Sequence, residues 1–164
     1  MAKDSSFDVV SEVDRQEVDN ALNQASKEIH QRFDFKGTGA EIVWTGELTI
    51  EVRAKDEGRV QAALEVLKEK CVRRNVSLKA LQIGKVLEGQ GGYRLVVTLN
   101  QGISDEKART ITKTIKAANL KGVQVAIQGD QLRVSAKSKD QLQDVIQLLK
   151  DEDFGIPLQF TNYR

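Results

Sequence analysis

The sequence predicts an α+β protein made of two copies of one βαββαβ unit. Three observations carry this reading. Apolar spacing alternates between a period of 2 and a period of 3.6 in the order strand, helix, strand, strand, helix, strand, and does so twice. The two hairpins are alike: the stretch Gly46-Glu47-Leu48-Thr49-Ile50-Glu51-Val52-Arg53-Ala54-Lys55-Asp56 parallels Gly129-Asp130-Gln131-Leu132-Arg133-Val134-Ser135-Ala136-Lys137-Ser138-Lys139-Asp140, one residue longer. Between the copies, residues 84–92 hold four of the chain's 12 glycines, which reads as a flexible loop or linker.

Each element follows from local chemistry. Residues 6–13 read as a strand. Asp14 stands at an N-cap position with Glu17 three residues on, close to a capping box. Val18, Leu22, Ala25 and Ile29 then share one face, so a helix spans about 15–31. Residues 41–45 and 48–53 are strands joined by a two-residue turn, Gly46-Glu47. In the second of them Leu48, Ile50 and Val52 alternate with Thr49, Glu51 and Arg53, one face buried and one wet. Asp56 opens a second helix whose stripe is Val60, Leu64, Leu67 and Cys71, and a short strand follows near 79–83.

The second copy begins with strand 93–99. Ser104 caps a third helix, with Asp105 and Glu106 at its positive end and Ala108, Ile111, Ile115 and Ala118 as its stripe. Strands 123–127 and 131–136 flank a turn at Gly129-Asp130. Asp140 opens a fourth helix carrying Leu142, Val145, Ile146 and Leu149, and a last strand covers 158–162. Two βαββαβ units specify two ferredoxin-like sandwiches, each an antiparallel sheet with two helices on one face.

Composition narrows the function. The chain has 164 residues, 40% of them hydrophobic and 30% charged, which is globular. Its net charge of +1 excludes a globally basic nucleic-acid binder, so any electrostatic site is local. One cysteine excludes an intrachain disulfide and a cysteine-based zinc site, and one histidine excludes a multi-histidine metal centre. The start of the chain has no apolar signal segment, and no apolar run nears the roughly 18 residues of a membrane span. The expectation is a reduced, soluble, cytoplasmic protein with no metal, cofactor or membrane partner.

Catalytic signatures are missing. The glycine-rich stretch lacks the P-loop lysine pattern, and Gly37-Thr38-Gly39 precedes a strand rather than a helix. A lone His30 supports no Ser-His-Asp or Cys-His pairing and reads as a surface residue; Cys71 reads as a buried structural thiol. No enzyme is expected.

Charge is unevenly spread. Residues 1–82 hold 13 basic and 15 acidic side chains, and residues 83–164 hold 12 and 9. Within 107–139 the cations Lys107, Arg109, Lys113, Lys116, Lys121, Arg133, Lys137 and Lys139 face only Asp130. This run reads equally as a polyanion surface and as a solvated face. A second feature is Arg32-Phe33-Asp34-Phe35-Lys36-Gly37. Taken alone, Phe33 and Phe35 read first as core anchors where the helix turns into its strand. The other reading is a stacking surface for a base, with Lys36 near a phosphate. The fold order is that of RNA-recognition domains, but their aromatic platform is absent, since strand 93–99 offers only Tyr93.

Four segments make the chain resemble the YajQ family of bacterial nucleotide-binding proteins. They are Ser6-Phe7-Asp8-Val9-Val10-Ser11-Glu12-Val13-Asp14, the Arg32–Gly37 run, Thr98-Leu99-Asn100-Gln101-Gly102-Ile103, and Pro157-Leu158-Gln159-Phe160-Thr161-Asn162-Tyr163-Arg164. The resemblance implies two ferredoxin-like domains with exchanged N-terminal strands: residues 15–83 with strand 93–99, and residues 103–164 with strand 6–13. It implies nucleotide and RNA binding, tRNA included, and no catalysis. It also implies an alternative, a cyclic-di-GMP sensor acting with a transcription factor; a pure interaction scaffold is a third reading. The candidate site residues are Arg32, Phe33, Phe35 and Lys36, then Gln101 and Gly102 as amide and backbone contacts, and Lys113, Lys116, Arg133, Lys137 and Lys139 for phosphates.

Overall fold

The computed structural model describes residues 4–164. The chain forms two compact units: a central one, Val13–Asn100, and a terminal one joining the residues up to Glu12 with Gln101–Arg164. The central unit contains α1 (Arg15–Gln31), β2 (Glu41–Trp44), β3 (Thr49–Ala54), α2 (Glu57–Arg73), β4 (Leu81–Ile83), β5 (Leu87–Gly89) and β6 (Gly92–Leu99). The terminal unit contains β1 (Ser5–Val10), α3 (Asp105–Ala117), β7 (Gln124–Gln128), β8 (Gln131–Ala136), α4 (Lys139–Asp151) and β9 (Gln159–Thr161). Each is an antiparallel sheet with two helices, the ferredoxin-like α+β arrangement.

Strand pairing follows the same division into two units. The terminal sheet runs β7-β8-β1-β9, and the central sheet runs β2-β3-β6-β4 with β5 also on β6. The first strand of the chain therefore lies inside the terminal sheet, with Phe7 opposite Val134 and Val9 opposite Phe160. Strand β6 lies inside the central sheet, with Leu95 opposite Val52 and Leu99 opposite Leu81. Alternation fixes both registers. Phe7, Val9, Leu132 and Val134 turn to one core, and Ile50, Val52, Leu95 and Val97 to the other. Across from them, α3 and α4 bury Ile111, Ile115, Val145 and Leu149, while α1 and α2 bury Val18, Ile29, Leu64 and Leu67. Each such side chain contributes about 1.5–3 kcal/mol by leaving water.

Asp14, Asp56 and Ser104 each accept a hydrogen bond from a first-turn backbone N–H, as N-caps do. Three local expectations differ. The turn between β2 and β3 takes four residues, because the N–H groups of Thr45 and Gly46 both donate to the Thr49 carbonyl. Helix α4 starts earlier, since Ser138 and Gln141 form a reciprocal capping box and Asp140 falls in the first turn. Residues 84–92 are not a plain linker: β5 folds back on β6, with Leu87 opposite Arg94 and Gly89 opposite Gly92. That hairpin needs glycine at 92, where φ is +145° and a Cβ would sit 2.5 Å from the Ala54 carbonyl oxygen. Among the described residues, no helix is long and apolar enough to cross a membrane.

Candidate functional site

The Arg32–Gly37 run sits where α1 ends. Arg32 leaves the helix in an extended conformation, its N–H still donating to the Glu28 carbonyl at 2.9 Å. A single 3-10 turn, Phe33–Phe35, follows. It sends the two aromatics opposite ways: Phe35 is 4% exposed and Phe33 is 84% exposed. The anchor reading holds for Phe35, which joins the central core. Phe33 stands in solvent, where a large apolar ring contributes nothing to folding.

Cations surround this turn. The Arg32 guanidinium lies 5.0 Å from the Phe35 ring centre and pairs with Asp34 at 2.8 Å and Glu28 at 3.4 Å. The Lys36 ammonium lies 5.6 Å from the Phe33 ring centre. Arg59, from α2, donates to the Asp34 carbonyl and carboxylate at 3.3 Å each. The hydrogen bond from Arg32 holds the Asp34 carboxyl below its usual range and raises the Arg32 pKa in turn. The turn is thus stapled by charge while one aromatic ring and Lys36 face outward. A ring and an ammonium in this arrangement suit a stacked planar base with its phosphate alongside.

Gln101 and Gly102 belong to the other unit and have a different character. Gly102 has φ +83°, and a Cβ there would lie 2.7 Å from an Asp130 carboxylate oxygen. Its N–H donates to the Ser11 carbonyl at 2.7 Å. The glycine is explained by that close approach, and its N–H is already engaged. Gln101 is exposed beside it.

The basic run of the terminal unit divides. Lys107 lies at the start of α3, with its ammonium near Gly155. Arg133 is held by Asp8 at 3.0 Å, so its charge is compensated within the sheet. Arg109, Lys113 and Lys116 recur at i, i+4 and i+7 along α3 and are all exposed. Helix α3 ends close to where α4 begins, because the Gln141 side-chain amide donates to the Lys121 carbonyl. Lys121, Lys137 and Lys139 therefore gather at this end of the unit. A cleft of about 630 Å³ opens here, lined by Lys116, Lys121, Leu120 and Val125 among others.

Comparison with known proteins decides the family. A family model described as "Nucleotide-binding protein YajQ-like" matches residues 5–164. The chain belongs to the YajQ-like family. It is 60% identical over 161 residues to a nucleotide-binding protein of Rhodococcus erythropolis, covering 98% of this chain and 99% of that one. A nucleotide-binding protein of Nocardia farcinica is 59% identical over the same shares, and one of Thermobifida fusca is 54% identical over 165 residues and the full length of both.

Two further points follow for this YajQ-like chain. Sequence reasoning missed Arg59, which stands 25 positions from the Asp34 it binds and carries no local signal. Cys71 is fully buried in the central core, and burial pushes its thiol up to about 11. The thiol is therefore inert near neutrality. A disulfide reagent such as DTNB should label it slowly in the native protein and rapidly in denaturant; fast native labelling would show that the core opens readily.

Proposed function

We propose that this YajQ-like chain is a non-enzymatic nucleotide- and RNA-binding protein. An unpaired base stacks on Phe33, and phosphates meet Lys36 and the exposed lysines of the terminal unit. The observation that carries the reading is Phe33, a phenylalanine 84% exposed beside a lysine, on a turn stapled by Arg32, Asp34 and Arg59. The names of its relatives support nucleotide binding. Arg133 and Gly102 take structural roles in this reading, and Lys113, Lys116, Lys137 and Lys139 supply the salt-dependent affinity.

Fluorescence anisotropy of labelled tRNA at two salt concentrations tests it. Phe33→Ala should weaken binding by about 5- to 150-fold, the equivalent of about 1–3 kcal/mol for one base–aromatic stack. Replacing Lys113, Lys116, Lys137 and Lys139 together with Gln should reduce the salt slope by about 3, at about 0.7 per phosphate contact. Unchanged affinity in the first variant removes the stacking role, and an unchanged slope in the second removes the lysines. Titration with cyclic-di-GMP is the arm for the sensor reading. Saturable binding without any affinity for tRNA would favour a nucleotide sensor acting through a transcription factor.

A further inference from the structure

The glycine-rich hairpin builds a cleft that the Phe33 site does not use. It has a volume of about 390 Å³ and lies between the end of β3 and the β5–β6 turn, Gly89-Gln90-Gly91-Gly92. Arg53, Lys55, Tyr93 and Arg94 line it, together with one carboxylate, Glu51, which is paired with Arg53. Its charge pattern runs against the rules of sheet pairing. Arg53 and Arg94 stand directly opposite each other in the β3–β6 ladder, an arrangement that destabilises a sheet. Arg53 is compensated by Glu51 at 2.9 Å and Glu41 at 3.6 Å. Among the described residues, no hydrogen bond or ion pair engages the side chain of Arg94 or of Lys55. Two uncompensated cations thus converge on one hollow.

The turn beside them is bare. A Cβ at Gly89 or Gly91 would meet nothing within 4 Å, so the backbone there is open to a ligand, and Gly91 has φ +84°. Glycine turns of this kind bring backbone N–H groups close to phosphate oxygens. Tyr93, paired with buried Ala54, turns its ring toward the central core and contributes to the cleft only beside the glycine turn. The volume falls in the range of small-ligand sites. Sequence elements that cost stability without a structural return mark functional positions.

We propose that this cleft binds a small nucleoside phosphate by its phosphates, with Arg94 and Lys55 as their partners. The proposal rests on the nucleotide-binding reading above but places the ligand at a site separate from Phe33.

Isothermal titration of the full chain with ADP, and separately with inorganic pyrophosphate, tests it, with amide NMR shifts to locate the ligand. ADP should bind saturably and more weakly as salt rises, and the largest shifts should fall on residues 89–94 and 53–55. Arg94→Gln should weaken ADP at least tenfold, and Lys55→Gln with Arg94→Gln should abolish binding, with both variants melting as the parent does. Phe33→Ala should leave ADP affinity unchanged. An ADP affinity indifferent to both cation variants, or shifts centred elsewhere, overturns the proposal. So does the absence of any binding. Pyrophosphate binding as tightly as ADP overturns the nucleoside part. Loss of ADP binding in Phe33→Ala overturns the separate site, whereas unchanged tRNA binding in Phe33→Ala with intact ADP binding removes only the stacking role.

Discussion

Phe7→Ala should destabilise the terminal unit by about 3–5 kcal/mol, the usual cost of removing a fully buried phenylalanine. Phe7 is completely buried in β1. Its ring meets Phe160 edge-on at 5.8 Å and Tyr163 at 6.1 Å, and its backbone stands opposite Val134. Truncation therefore removes the ring's transfer free energy, leaves a cavity, and ends two aromatic contacts. Position in the chain makes the result diagnostic. Phe7 directly precedes α1 in sequence, yet its neighbours lie more than 120 residues away. Hydrogen exchange should show lost protection in β8 and β9 and little change in β3 and β6. Lost protection in α1 and β3 instead would mean that β1 belongs to the central sheet in solution.

Helix boundaries were the most legible part of the sequence. Helix α1 is read to the residue, because an aspartate cap and an apolar stripe agree. Strand β8 is equally plain, with Leu132 and Val134 alternating against Arg133 and Ser135. Strand membership was not legible in the same way. Periodicity says that residues 6–13 hold a strand but not which sheet receives it, since both sheets offer an apolar face of the same period. The resemblance to a family carried that information. The hairpin of residues 84–92 was hidden because β5 is three exposed residues, Leu-Glu-Gly, with no alternation to detect.

The candidate site was half legible for a related reason. Phe33 and Phe35 are equivalent as letters, two positions apart on either side of an aspartate. In a strand they would share a face; in the 3-10 turn they diverge. Only the turn separates anchor from exposed ring. The basic run divides in the structure, because charge counts ignore partners. Arg133 finds Asp8, 125 positions away, and leaves the surface set. Among the described residues Lys113, Lys116, Lys137 and Lys139 form no ion pair, and all four stay exposed.

That Arg133–Asp8 pair should give the terminal unit an acid-sensitive element. Asp8 is 1% exposed and accepts hydrogen bonds from Arg133 at 3.0 Å and Asn162 at 2.8 Å, with Arg164 at 3.9 Å. Burial acts to raise its pKa, but the bonds from Arg133 and Asn162 and the two arginine charges outweigh it, and the net shift is downward. A carboxyl lowered in the folded state contributes stability that is fully present above its unfolded value, near 3.8, and is lost as pH falls through the lower folded value. Asp8→Asn removes the charge and turns one of the two oxygens into a donor facing either Arg133 or Asn162, both donors themselves. The cost at neutral pH should be about 1.5–3 kcal/mol. The more telling readout is the pH profile. Denaturant midpoints of parent and Asp8→Asn should converge as pH falls below 3.8, because the parent then loses what the variant never had. Glu17 and Glu28, also lowered by arginine and lysine partners, are common to both proteins and cancel in the difference. Parallel profiles with a constant gap would assign the loss to packing alone and deny Asp8 its charge-dependent role in holding β1, β8 and the C-terminal segment together.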